Sequence, residues 1–309
     1  MTEPKSLAEK VNDPKPVPRG GKPERRAEGR PTPNSASDPS AGGTAGEIPY
    51  PLFIVGSPRS GTSILVDAML AAGFHGYREG NFLGLLKTMT DAIETHYRSF
   101  FVADTPIMIS QVPKQRLIRQ IRGMFKDLLE EKNLEHPWLD KTGNSEMILL
   151  VPDLTEIWPN CRVIFAKRRG IENVMSRMKK FPEANFGYHC RDWARNMAAW
   201  RATRARLEDW RYLEVDQKDI AFRPDVVAKQ ISALLSLSPT QGAAIEEMFR
   251  SGRPQETAPG TAERVVALQD TGWPAEQMVH FQTLCGLEME EFGYTMDVND
   301  EQVRAVGSA

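Results

Sequence analysis

The sequence predicts an α/β protein in which a central, mostly parallel sheet is covered on both faces by helices, giving three layers. Three observations predict it. Short apolar runs at 52–55 and 162–166 have the length and composition of strands buried on both faces. Segments of helical periodicity separate these runs, and strands alternating with helices favour a parallel sheet. A glycine-bearing turn joins the first apolar run directly to a helical one, in which Ile64, Leu65, Val66, Met69 and Leu70 keep helical spacing.

Residues 1–46 hold Pro, Gly, Ser, Lys, Arg and Glu with almost no large apolar side chain. Such a segment cannot bury enough surface to offset its ordering entropy, so a disordered tail is expected, with the basic cluster Arg19, Lys22, Arg25, Arg26 and Arg30 solvated. Residues 47–309 are expected to form one domain with a helical, lid-bearing C-terminal portion. Within it, 213–215 is a weaker strand candidate, and Trp138 and Leu139 end a fourth. Helical patterns cover 81–101, 114–132, 145–158, 171–180, 190–209, 224–236, 241–250 and 274–292. The last of these, with Phe281, Leu284, Leu287 and Met289, is expected to pack in the core. In such sheets ligands bind outside the carboxyl ends of the strands, so the residues after Val55, Leu139 and Ala166 are expected to share one crevice.

Bulk properties exclude several classes of function. The 309 residues are 40% hydrophobic and 26% charged, an ordinary globular make-up, and the net charge of -2 offers no global attraction for nucleic acid. Any anion site must therefore be built from a few placed cations. Cys161, Cys190 and Cys285 have no spacing that suggests zinc or a disulfide framework. No apolar run approaches the ~18 residues needed to span a bilayer, and the N-terminus has no apolar leader, so a cytoplasmic protein is expected.

The segment Gly56-Ser57-Pro58-Arg59-Ser60-Gly61-Thr62-Ser63 lies between strand and helix, where backbone N–H groups and the helix dipole hold an anion. It nearly matches the P-loop pattern GxxxxGK[ST], which makes the expected architecture a three-layer P-loop fold. Thr62, however, stands where a nucleotidase has its lysine, and the loop's cation is Arg59. A transferring phosphoryl group usually needs that lysine and Mg²⁺, whereas the less charged sulfuryl group can be managed by side chains alone. The second strand runs into Lys167-Arg168-Arg169 rather than a metal-binding Asp, and Asp140 is the one weak imitation of such an acid. No metal is expected.

This loop resembles the 5′-phosphosulfate loop of sulfotransferases that use 3′-phosphoadenosine-5′-phosphosulfate (PAPS), in particular the bacterial and tyrosylprotein branches with arginine in the loop. Arg168-Arg169-Gly170-Ile171-Glu172-Asn173-Val174-Met175-Ser176 is similar to the family's 3′-phosphate motif. The resemblance covers about residues 50–215. It implies that Ser57, Arg59, Ser60, Gly61, Thr62 and Ser63 hold the phosphosulfate and that Arg168 and Ser176 hold the 3′-phosphate, with PAP as product. Arg169 and Lys167 are expected to face solvent or to support their neighbours.

The same resemblance implies Glu79 as the base that deprotonates the acceptor hydroxyl, with His75 and then His189 as runners-up. Lys141, with Arg59, would stabilise charge on the leaving oxygen. Asn144 or Ser145 would cap the helix after Lys141. Arg253 and Trp273 fall where relatives place a lid, although a plain structural role is as good a reading. The acceptor expected by analogy is a hydroxyl on a carbohydrate or glycoconjugate, with a protein tyrosine or a small metabolite as alternatives. Two rival readings are an ATP-dependent kinase or NTPase with a degenerate loop, and a non-catalytic nucleotide-binding scaffold.

Overall fold

The computed structural model describes residues 51–101, 106–133, 137–251 and 265–298, all within the compact unit Gly46–Ala309. The tail expected at 1–46 lies outside the described residues. In chain order the elements are β1 (Leu52–Gly56), α1 (Thr62–Ala71), β2 (His75–Tyr77), α2 (Leu83–Phe100), α3 (Met108–Gln111), α4 (Lys114–Lys132), β3 (Trp138–Lys141), α5 (Ser145–Ile157), β4 (Arg162–Lys167), α6 (Gly170–Lys180), α7 (Phe186–Arg204), β5 (Tyr212–Asp216), α8 (Gln217–Phe222), α9 (Pro224–Leu235), α10 (Pro239–Ser251) and α11 (Ala275–Glu291).

The strands form one five-stranded parallel sheet in the order β2-β3-β1-β4-β5. Side chains alternate across it with period two. Phe53, Val55, Val163 and Phe165 enter a core on one face, and Leu52, Ile54, Ile164 and Ala166 enter a second core on the other. Helices α5, α6, α7 and α11 supply the first core, while α1, α9 and α10 supply the second. This is why β1 and β4 read as apolar runs: both faces are covered, and each fully buried Leu, Ile or Phe contributes roughly 1.5–3 kcal/mol.

Several local features explain where the elements begin and end. Asn144 is the cap of α5, its side chain accepting from Met147 N at 2.8 Å, and Asn185 caps α7 through Tyr188 N at 2.7 Å. That second cap starts α7 four residues before the expected 190, and the helix ends earlier as well. Strand β2 was not expected: three residues, His-Gly-Tyr, carry no periodicity, and their extended form depends on pairing with β3. Within α11, Phe281, Cys285 and Met289 are buried, but Leu287 is 61% exposed and is not part of the core.

Arg169 supports rather than faces solvent. It is 6% exposed, pairs with Glu172 at 2.6 Å, and donates to the carbonyls of Val266, Thr295 and Met296. Glu172 also accepts from Val266 N, so this ion pair fastens the C-terminal segment to the start of α6. Lys167 likewise supports its surroundings, pairing with Glu214 at 2.8 Å.

Candidate active site

β1 lies at the centre of the sheet, between β3 and β4. The register places Ile54 opposite Lys141 and Gly56 opposite Ala166, so the residues following β1, β3 and β4 converge on one crevice. At its floor the chains approach so closely that a Cβ on Gly56 would sit 2.3 Å from the Ala166 carbonyl oxygen, and Gly56 itself has φ +150. Only glycine fits there.

The loop that follows is a braced cradle. Ser57 and Ser60 are fully buried, and their hydroxyls serve the protein: Arg177 reaches Ser57 Oγ at 3.4 Å, and Asn173 Nδ2 donates to Ser60 Oγ and to the Pro58 carbonyl, each at 3.0 Å. Arg59 adopts a left-handed conformation (φ 72), a state that costs a non-glycine residue of order 1–2 kcal/mol. Its carbonyl accepts from Arg168 NH1 at 3.2 Å, and its own Nε donates to Ser176 Oγ at 3.0 Å. Gly61 (φ 88) precedes α1 without a side-chain cap, which leaves the first-turn N–H groups, including those of Thr62 and Ser63, for an anion.

Arg168 leaves β4 toward this loop. Burial lowers its basicity, with Glu172 opposing that effect and Arg59 adding to it. Its Nε is buried without a partner, a donor available to a bound anion. Beside it opens a cavity of about 240 Å³, walled by Glu172, Asp216, Gln217, Lys218 and Tyr294 among others. Tyr294 Oη donates to Asp216 Oδ2 at 2.6 Å; even so, burial raises the Asp216 carboxyl above the usual range.

On the other side of β1, Lys141 ends β3 and pairs with Glu79. The lysine side chain is 6% exposed and the glutamate 60%, so Glu79 faces outward while the ammonium lies in the crevice. The segment carrying Glu79 is fixed to β3 by Gly80 N donating to the Lys141 carbonyl at 2.9 Å and by Asn81 N donating to Thr142 Oγ1 at 3.0 Å. Asp140 stands next to this pair. Burial pushes its carboxyl up to about 6, against the pull of a hydrogen bond from Thr142 and of the Lys141 charge.

Sequence reasoning and structure thus bring Arg59, Gly61, Thr62, Ser63, Arg168, Ser176, Lys141 and Glu79 to the carboxyl ends of neighbouring strands. The two histidines stand elsewhere. His75 is exposed and lies opposite Trp138, at the starting end of β3. His189 is fully buried, and burial lowers its basicity. Trp273 packs against Phe186 and Phe281, the structural reading, and Arg253 lies outside the described residues. Asn173 was missed. It lies three residues before Ser176, on the same face of α6, and that spacing was the available signal.

The family model described as "Sulfotransferase family" matches residues 51–241. Among solved structures, sulfotransferase STF9 from Mycobacterium avium superposes with a TM-score of 0.50 at 13% identity, covering 82% of this chain and 79% of that one. The sulfotransferase domain of the olefin synthase of Synechococcus PCC 7002 gives a TM-score of 0.50 at 18% identity, covering 81% of this chain and 96% of that domain. At these identities the likeness is one of fold. By sequence, no protein of curated function matches the chain.

Proposed function

The chain belongs to the sulfotransferase family, and from that premise we propose that it transfers the sulfuryl group of PAPS to an acceptor hydroxyl on a carbohydrate or glycoconjugate. The observation that carries the donor assignment is the link between Arg59 and both ends of the 3′-phosphate motif: Ser176 accepts from Arg59 Nε, and Arg168 bonds the Arg59 carbonyl. A ligand with two phosphate groups held a nucleoside apart suits such a joined pair of anion sites. The cavity beside Arg168 would take the nucleoside.

In this reading the N–H groups opening α1, together with Arg59, hold the phosphosulfate. The acceptor oxygen attacks sulfur in line and passes its proton to the Glu79 carboxylate. The bond from sulfur to the bridging oxygen breaks, and its electron pair leaves on the phosphate of PAP. Lys141, inside the crevice, stabilises the charge that develops on that bridging oxygen. The side chains supply these cations, so the reading requires no metal ion.

Isothermal titration with PAP and with adenosine 5′-monophosphate tests the donor site. PAP is expected to bind about 10–100-fold more tightly, the contribution of charge-assisted bonds to the 3′-phosphate. Arg168→Ala should collapse that ratio, and equal affinity of the two nucleotides for the unaltered protein would refute the assignment.

A further inference from the structure

The Glu79 side chain is 60% exposed, so packing does not fix it, and where its carboxylate stands follows from the backbone that carries it. Past the end of β2 that backbone meets the sheet through two bonds: Gly80 N donates to the Lys141 carbonyl at 2.9 Å, and Asn81 N to Thr142 Oγ1 at 3.0 Å. The second ends on a side chain. Asn81 itself is exposed, lies outside any strand or helix and has a left-handed backbone (φ 55).

Thr142 is placed to receive that N–H. The residue is 1% exposed, and its own N–H donates to the Ile54 carbonyl of β1 at 3.3 Å. Its neighbour Gly143 runs so close to β1 that a Cβ there would lie 3.3 Å from the Gly56 carbonyl oxygen. Thr142 is thus seated on the strand from which the loop 57–61 departs. A hydroxyl has one proton to give. Because Asn81 N is a donor, the Thr142 oxygen accepts there, and its proton goes to Asp140 Oδ1 at 2.9 Å. The buried Asp140 is therefore the acceptor that turns the hydroxyl's lone pairs toward Asn81.

We propose that Thr142 is a positioning residue: its hydroxyl, oriented by Asp140, ties the segment bearing Glu79 to β1 and so sets where the base stands relative to the transferring group; this rests on the reading of Glu79 as the base. A base acts only within hydrogen-bond reach of the proton it takes, and a misplacement of about 1 Å can cost about 10²-fold in rate. Lys141 is held by β3 itself, whereas Glu79 comes to the crevice on a segment outside the sheet. The ion pair between them fixes a distance and not a direction of approach. The backbone tie supplies the second constraint.

Amide exchange followed residue by residue by NMR detects the tie without reference to activity. In the unaltered protein the Asn81 N–H is expected to exchange at least about tenfold more slowly than an unprotected amide. Thr142→Val removes the hydroxyl at nearly the same shape and should abolish that protection, and Thr142→Ser should restore it. Release of PAP from PAPS, with water as the acceptor, measures the consequence. Thr142→Val should slow it by about 10–100-fold, Thr142→Ser by less than about threefold, and both should keep PAP affinity by calorimetry within about threefold. Fast exchange at Asn81 in the unaltered protein overturns the proposal whether or not a variant folds. So does a Thr142→Val protein that keeps its rate while Glu79→Gln loses it, or one whose PAP affinity falls along with its rate. If Glu79→Gln leaves the rate unchanged, or the unaltered protein releases no PAP, the reading of Glu79 as the base fails, and slow exchange at Asn81 then leaves Thr142 a structural tie alone.

Discussion

Replacing Asp140 by Asn should stabilise the protein, and by an amount that depends on pH. Asp140 is 7% exposed and is covered so closely that a Cβ on Gly80 would fall 1.7 Å from its Oδ2. Burial raises its carboxyl from 3.8 to about 6. Between those values the folded chain keeps a proton that the unfolded chain has released, so rising pH favours unfolding. At about 1.4 kcal/mol per unit, stability falls by about 3 kcal/mol as pH climbs from below 4 to above 6. Asp140→Asn removes this titration yet keeps an oxygen to accept from the Thr142 hydroxyl, a bond of 2.9 Å. Urea unfolding followed by tryptophan fluorescence should show the variant gaining on the unaltered protein as pH rises from about 4.5 to 7.5, reaching about 3 kcal/mol. A difference that stays flat across that interval would refute the account of Asp140 as a carboxyl whose ionisation burial opposes.

If Glu79 is the base, as proposed, Glu79→Gln is expected to lower kcat by about 10²–10⁴-fold while PAP affinity by calorimetry stays the same. Arg59→Gly should separate stability from binding: relief of the left-handed backbone and the added freedom of glycine offset each other to within about 1 kcal/mol, whereas titration should show PAP affinity falling at least about tenfold. Arg169→Ala should destabilise by about 3–5 kcal/mol in denaturant unfolding, because it leaves Glu172 buried without its partner. Gly56→Ala places a methyl group against the Ala166 carbonyl, and loss of soluble folded protein on expression is the expected outcome.

The strand–loop–helix junction at 52–63 was legible in the sequence because its signals are local. An apolar strand, a glycine-bearing turn and a helix start lie within a dozen consecutive residues, and the chemistry of Arg59 in place of a loop lysine can be read there directly. The sheet order could not be read this way. That β3 inserts beside β1, bringing Lys141 and Glu79 to the rim, depends on pairings between residues some sixty to ninety positions apart. Strand β2 shows the same limit, since its extended form comes from its neighbour. Asn173 was hidden for a different reason. A polar residue on a helix says nothing about which carbonyl it will meet until α6 is laid against the loop.

The helices expected at 81–101 and 114–132 form as α2 and α4, but the pattern does not say what their apolar positions meet. Among these positions, Leu83, Leu86, Ile118 and Phe125 are buried. Phe100, Phe101 and Met108 continue the same apolar character, and among the described residues nothing buries them. Hydrophobic patterning reports that a side chain leaves water; it does not report whether the protein's own core or another surface receives it.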